Sequence, residues 1–135
     1  NENFIIKKVL NTAFDILAGR KEFLEVGNID IRRDFGFAPK YVEAMHLMMQ
    51  HEVPDHYILA SGKSVSLKKV IYYIFDKLEI DREKVLINKE LFRPNEIMEI
   101  YGNASKAKKE LNWRYEMSFF KVLDIIISES LKNHT

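Results

Sequence analysis

Arg33 and Arg93 are the side chains in this sequence best suited to holding an anion. A guanidinium is planar, permanently charged and forked, so it can donate to two phosphate oxygens at once. Arg33 closes the pair Arg32-Arg33 inside a polar stretch, Asp30 to Gly36, just ahead of an apolar pattern beginning at Ala38. Arg93 precedes Pro94, whose ring keeps the preceding backbone extended and can project the Arg93 side chain away from its loop. Glu96 follows three residues on, and a carboxylate can accept two hydrogen bonds from a ribose diol. Each group also has a plainer reading. Arg33 can be a surface ion pair with Asp30 or Asp34, with Arg32 as its solvent-facing neighbour. Arg93 can pair with Glu96, a contact worth under about 1 kcal/mol at an exposed site. The residues alone leave both readings open.

Other chemistry is sparse. Tyr73 and Lys77 form a Tyr-x-x-x-Lys match, in which a lysine would lower the tyrosine pKa for acid/base work. They lie off the apolar stripe of their helix and no cofactor turn precedes them, so an ordinary helix face is expected. The four histidines, His46, His51, His56 and His134, show no metal-ligand spacing with carboxylates, and no metal site is expected. Met45, Met48 and Met49 read as core packing with one edge residue. Lys106, Lys108 and Lys109 read as a solvated face, because Glu110 adjoins them and the chain's net charge is only +1. No overall field recruits nucleic acid or a membrane surface. Cysteine is absent, which removes disulfides and thiolate zinc sites and fits a cytoplasmic setting. The five glycines are spread too far apart to form a Gly-x-Gly-x-x-Gly dinucleotide turn.

The elements that position these residues alternate between helix and strand, the pattern of an α/β chain. Ile6, Val9, Leu10, Ala13, Phe14 and Leu17 recur at helical spacing, and Gly19 ends that helix. Phe23 to Val26 reads as a short strand ending in the turn signal Gly27-Asn28. Ala38, Tyr41, Val42, Met45 and Met49 form the stripe of a second helix, with Pro39 in its first turn. His56 to Ala60 reads as a strand. Ser66 caps a third helix carrying Leu67, Val70, Ile71, Ile74, Phe75 and Leu78. Val85 to Ile87 and Ile97 to Ile100 are brief strands. Asn103 caps a short helix from about Ala104 to Leu111, and Ser118 caps a last helix with Phe119, Val122, Leu123, Ile126 and Ile127 inside. No run is long and apolar enough to span a bilayer. The opening Asn1-Glu2-Asn3-Phe4, without an initiator Met and directly helical, reads as a chain that begins partway through a longer protein.

Three ordered stretches resemble the GDP-mannose 4,6-dehydratases, members of the extended short-chain dehydrogenase/reductases. The first is Glu2-Asn3-Phe4 followed by Lys8. The second is Gly27-Asn28-Ile29-Asp30, Arg33-Asp34-Phe35-Gly36 and Tyr41-Val42-Glu43-Ala44-Met45. The third is Arg93-Pro94-Asn95-Glu96, Gly102 to Ala107, and Leu111-Asn112-Trp113, with Tyr57 to Gly62 between the last two. The sequence departs from the pattern at Phe35 and Phe37, near which the family usually has Trp and His. It departs at Asn112, where a Gly is common, and at Asn11, where an Arg is common. The stretch from Leu78 to Arg93 is also shorter.

The resemblance implies that residues 1–135 are the carboxy-terminal, nucleotide-sugar-binding portion of such an enzyme. The Rossmann half, which holds NADP and the catalytic Ser/Thr, Glu, Tyr and Lys, lies upstream. No catalytic residue is therefore expected here and no cofactor bound by this portion alone. It implies that Arg33 and Arg93 bind phosphate, Glu96 the ribose and Lys8 the nucleotide-sugar, while Val26, Gly27 and Asn28 flank the guanine. Lys8 can equally be a solvated neighbour of Lys7, and Gly27 only a turn residue. The implied partners are a GDP-sugar and the Rossmann half, within a homo-oligomeric parent. A GDP-heptose dehydratase, a GDP-4-keto-6-deoxy-sugar reductase and a free-standing non-catalytic α/β interaction module are the alternatives.

Overall fold

The computed structural model describes residues 2–134, without the side chains of Glu2 and Asn3, so those two residues of the Glu2-Asn3-Phe4 stretch lie outside the described side chains. Five helices alternate with five short strands. In chain order they are α1 (Glu2–Leu17), β1 (Leu24–Val26), β2 (Arg32–Arg33), α2 (Ala38–Gln50), β3 (Val65–Ser66), α3 (Leu67–Lys77), β4 (Val85–Ile87), β5 (Glu99–Ile100), α4 (Ser105–Leu111) and α5 (Phe119–Asn133). The 3₁₀ turns Arg82–Lys84 and Lys89–Leu91 flank β4.

The expected stripe of α3 is the buried one: Leu67, Val70, Ile71, Ile74 and Phe75 all face inward. Ser66 caps this helix by accepting from the Lys69 N–H, and Ser118 caps α5 by accepting from the Phe120 N–H. Such a cap satisfies one of the donors a helix start leaves unpaired, worth about 1 kcal/mol. Gly19, at φ +75°, turns the chain out of α1 in the left-handed conformation glycine adopts freely. The inner faces of α1, α3 and α5 close over Leu24 and Val26 of β1 and over Phe35, forming the main core. Phe35 stacks on Phe119 with ring centroids 4.9 Å apart.

A second, smaller cluster joins α2 to α4 through Ala44, Ala107, Leu111 and Trp113. The Trp113 indole N–H donates to the Lys40 carbonyl at 3.0 Å, which ties the turn after α4 to the first turn of α2. Asn112 sits at φ 53°, a left-handed position where the resembling family has Gly and where Asn is the next-best residue.

Several expectations are corrected. In α2 the stripe residues Val42, Met45 and Met49 are exposed, so of the methionine group only Met48 packs against a core cluster. The covered face carries Ala44, with Tyr41, Leu47 and Met48 partly buried, because small Ala44 lets α4 approach closely. His56 to Ala60 forms no strand; Tyr57 and Leu59 pack on the second cluster instead of joining a ladder. Phe23 precedes β1 rather than opening it. Leu17 lies exposed at the end of α1. The Asn103 side chain accepts from Ser105 N–H, but Ala104 is the residue that immediately precedes α4.

Two small sheets arrange the chain. β1 and β4 pair in parallel, Leu24 to Val26 against Val85 to Ile87. β2 is central in the other sheet, antiparallel to β3 and parallel to β5. Arg32 lies opposite Glu99, and Arg33 opposite Ile100. Residues 24–33 and 85–100 thus run side by side in the same direction and are tied at both ends. No helix among the described residues is long and apolar enough to cross a membrane.

Candidate functional site

Between the two parallel pairings the first segment has five residues, 27–31, and the second has eleven, 88–98. The longer connection must bow away from the shorter one. It leaves β4 with the Asn88 N–H donating to the Val26 carbonyl at 2.7 Å, and it re-enters the sheet with the Arg32 N–H donating to the Met98 carbonyl at 2.7 Å. The 3₁₀ turn Lys89–Leu91 brings Leu91 against Gly27. A Cβ on Gly27 would fall 2.9 Å from the Leu91 carbonyl oxygen, so glycine is what permits this approach. A cavity of about 540 Å³ opens beside the bowed loop, within the range of small-molecule sites.

All seven residues singled out from the sequence line this cavity: Lys8, Val26, Gly27, Asn28, Arg33, Arg93 and Glu96. Ile5, Ile31, Phe35, Leu67 and Leu91 complete the lining. Sequence reasoning missed these five as lining residues. Phe35 stood within the Arg-Asp-aromatic motif, while Leu91 carried no sequence signal of its own. The buried Phe35 and Leu67 also belong to the main core, so the cavity rests on the best-packed part of the chain.

Strand alternation explains why only one of the adjacent arginines reaches the cavity. Arg32 bonds Ser64 through its side chain and pairs with Glu99 at 3.0 Å, so it is anchored while its side chain stays 42% exposed. Arg33 lines the cavity with a side chain only 11% exposed. Its Nη1 donates to the Arg32 carbonyl at 2.8 Å, and its Nη2 lies 3.4 Å from Glu96 Oε1. Glu96, 63 residues away in sequence, is thus a carboxylate that meets Arg33. Asp34 accepts from the backbone N–H groups of Ser61, Gly62 and Gly102 and from the Ser61 hydroxyl. It fastens the loop after residue 60 and the chain beyond β5 to the end of β2. The Arg-Asp-aromatic triplet was its signal, although Asp34 was weighed only as an ion-pair partner.

Arg93 is exposed at the rim and makes no hydrogen bond or ion pair among the described residues; the Arg93–Glu96 pair does not form. Lys8 donates from Nζ to the Glu25 carbonyl at 3.0 Å, which draws the α1 cation to the end of β1. The Asn28 side-chain oxygen accepts from the Asp30 N–H at 2.9 Å, holding the turn and leaving the amide nitrogen near Met98 Sδ, 3.7 Å away. The cavity therefore offers three cations from a helix, a strand and a loop, one carboxylate, and an apolar floor. That combination suits a ligand with negative charge at one part and a flat or apolar group at another.

Residues 1–126 match the family model described as GDP-mannose 4,6 dehydratase. The chain belongs to the GDP-mannose 4,6-dehydratase family. It is 38% identical to GDP-mannose 4,6 dehydratase 1 of Arabidopsis thaliana over 132 residues, which cover 97% of this chain and 37% of that protein. Identity to GDP-mannose 4,6 dehydratase of Drosophila melanogaster is 32% over 151 residues, again 97% of this chain and 38% of that protein. The chain thus spans well under half the length of these relatives. Its fold superimposes on RMD from Pseudomonas aeruginosa, a structure complexed with NADPH, with a TM-score of 0.81 at 21% identity, covering 95% of this chain and 42% of that one. The architecture is accordingly that of the C-terminal part of an extended short-chain dehydrogenase/reductase, as the resemblance implied.

The surroundings of the Tyr73–Lys77 pair are wrong for acid/base work. The Tyr73 hydroxyl donates to Asp124 at 2.6 Å, and Lys77 lies 3.8 Å from the same carboxylate. The hydrogen bond to Asp124, with desolvation and the carboxylate's charge, pushes the Tyr73 pKa up to about 12, the opposite of activation. The pair joins α3 to α5. Lys106 is likewise engaged, at 2.7 Å from Asp55 and over the Tyr57 ring, and its pKa is raised by the hydrogen bond to Asp55. No group of three or more potential metal ligands occurs among the described residues.

Proposed function

We propose that the cavity binds the nucleoside diphosphate of a GDP-sugar, and that residues 1–135 are the nucleotide-sugar-binding C-terminal portion of an NADP-dependent GDP-mannose 4,6-dehydratase. The observation that carries this reading is that Lys8, Arg33 and Arg93, from three separate stretches, line one cavity together with Glu96. Bringing three cations to one hollow is unfavourable unless an anion is held there, and a diphosphate supplies it. Arg33 and Arg93 take phosphate oxygens, Lys8 a further oxygen of the nucleotide-sugar, and Glu96 the ribose hydroxyls. Val26, Gly27 and Asn28 flank the guanine, with the Asn28 amide nitrogen as a donor toward its edge.

The parent enzyme would oxidise the mannose C4 transiently, remove water across C5 and C6, and return the hydride at C6, giving GDP-4-keto-6-deoxymannose. The residues of this chain do not fit the dinucleotide: Gly27 follows β1 but leads into a turn and β2, with no glycine-rich entry into a helix. We therefore place NADP and the proton-transfer groups on the upstream half. This portion's contribution is to hold the nucleotide so that C4 is presented to that half. A cytoplasmic, homo-oligomeric parent is part of the same reading.

Titration calorimetry with GDP on the intact protein carrying this chain tests the assignment. Arg33→Ala removes a nearly buried charge and leaves Glu96 unpaired, so binding is expected to weaken by about 2–5 kcal/mol. Unchanged affinity removes Arg33 from the site and the proposal with it.

A further inference from the structure

We infer that Glu96 makes the Arg33 anion clamp conditional on a vicinal diol, so the site admits a nucleoside diphosphate and rejects free diphosphate. The inference rests on the nucleotide-binding reading above and adds a specificity device to it. In this structure Glu96 Oε1 stands 3.4 Å from Arg33 Nη2, with side chains 22% and 11% exposed. Arg33 Nη1 is committed to the Arg32 carbonyl, which fixes the guanidinium against the sheet. The carboxylate therefore occupies the cavity side of Arg33, where an incoming phosphate oxygen would sit.

An anion that takes Arg33 must displace Glu96, and two negative groups cannot share the fork without repulsion. The displaced carboxylate is acceptor-only and sits largely out of water, so it needs donors. A ribose 2′,3′-diol brings two hydroxyl donors in the same molecule. Inorganic phosphate or diphosphate brings no diol, and any P–OH proton it keeps near neutral pH belongs to the same anion that the Glu96 carboxylate repels. Among the described residues, Arg93 and Lys8 meet no carboxylate in the cavity; Arg93 is exposed and Lys8 rests on a carbonyl. They attract any anion, while an anion that reaches Arg33 on this side must also resolve Glu96. Discrimination arises from the penalty placed on the wrong ligand as much as from contacts to the right one.

The test uses the intact protein carrying this chain, with GDP, 2′,3′-dideoxy-GDP and inorganic pyrophosphate as probes in titration calorimetry. Wild-type protein is expected to bind GDP at least about tenfold tighter than the dideoxy analogue, as expected when a site's polar group is left without its partner. Glu96→Gln, which keeps the shape and removes the charge, is expected to bind pyrophosphate about tenfold tighter than wild type and to narrow the gap between GDP and its dideoxy analogue. Glu99→Gln makes the same change in net charge on the Arg32 side of the sheet and should leave pyrophosphate binding unchanged. Pyrophosphate affinity that is unchanged or weaker in Glu96→Gln, or equally tightened in Glu99→Gln, overturns the inference while GDP binding by wild type stands. Wild-type protein that binds no GDP overturns the nucleotide reading itself, and the inference with it.

Discussion

Replacing Gly27 with alanine is expected to loosen the cavity without breaking the fold. The added Cβ would lie 2.9 Å from the Leu91 carbonyl oxygen and 3.2 Å from its carbon, whereas ordinary contact begins near 3.4 Å. Leu91 must therefore retreat by about 0.5 Å. It does not retreat alone. Its N–H donates to the Asn88 carbonyl at 3.0 Å, the Phe92 N–H donates to Lys89 at 3.1 Å, and Asn88 is itself bonded to Val26. The turn moves as a piece and carries Arg93 and Glu96 with it. Overpacking of this kind costs about 1–3 kcal/mol. Alanine narrows the unfolded ensemble and returns about 0.4–1 kcal/mol, leaving a net loss of about 1–2 kcal/mol in stability. Where a 1 Å misplacement is worth about a hundredfold, half of that is about tenfold, or about 1.4 kcal/mol in GDP affinity. Calorimetric unfolding measures the first quantity and GDP titration the second. A Gly27→Ala protein that unfolds and binds GDP as wild type does would refute the claim that this close approach shapes the site.

Two further outcomes follow from contacts outside the cavity. Asp34→Asn weakens three backbone hydrogen bonds and one hydroxyl contact that a carboxylate accepts with charge assistance, so denaturant midpoints should fall by an amount equivalent to about 2 kcal/mol. Tyr73→Phe should flatten stability against pH at the alkaline end. Because the folded pKa is raised to about 12 from an ordinary value of 10.0, the Tyr73–Asp124 contribution is fully present below pH 10 and is lost as pH rises toward 12. Thermal melts across that window should show the wild type losing its advantage over the variant, and parallel curves would contradict it.

The helices around the main core were legible because one strong stripe and a capping serine agree in α3 and again in α5. α2 was legible as a helix but not in its facing. Val42, Met45 and Met49 continue from Tyr41 as a better apolar stripe than Ala44, Leu47 and Met48, yet of the expected stripe only Tyr41 joins the second set against the cluster shared with α4. Periodicity reports that a helix has an apolar face; which face is covered depends on what packs there, and small Ala44 decided it. The segment Tyr57 to Ala60 has the composition of a strand, but its side chains are used against Trp113 and its neighbours, so packing overrode propensity. Within the site, residue types were legible and partnerships were not. Nearness in sequence suggested Asp30 or Asp34 as the alternative partners of Arg33. Its partner Glu96 arrives through two parallel strand pairings that no local pattern announces.

The three cations differ in how firmly they are held, and that difference bears on how the proposed site would work. Arg33 sits on the central strand of the three-stranded sheet, which is bonded on both sides. The Leu67 N–H bond to the Ile31 carbonyl, 3.0 Å, further fixes the chain just before Arg33. Lys8 projects from the middle of a 16-residue helix whose inner face is core. Arg93 rides on the bowed loop, exposed, with Pro94 stiffening only its own backbone. Groups on packed elements are placed more sharply than groups on loops. In the proposed reading, Arg33 and Lys8 therefore set where the diphosphate lies, and Arg93 adapts to it from the rim. The loop that carries Arg93 also carries Glu96, so the position of the ribose acceptor and the reach of the outer cation are adjusted together. Changes in the length or packing of residues 88–98 should accordingly alter nucleotide affinity more than they alter the stability of the helical core.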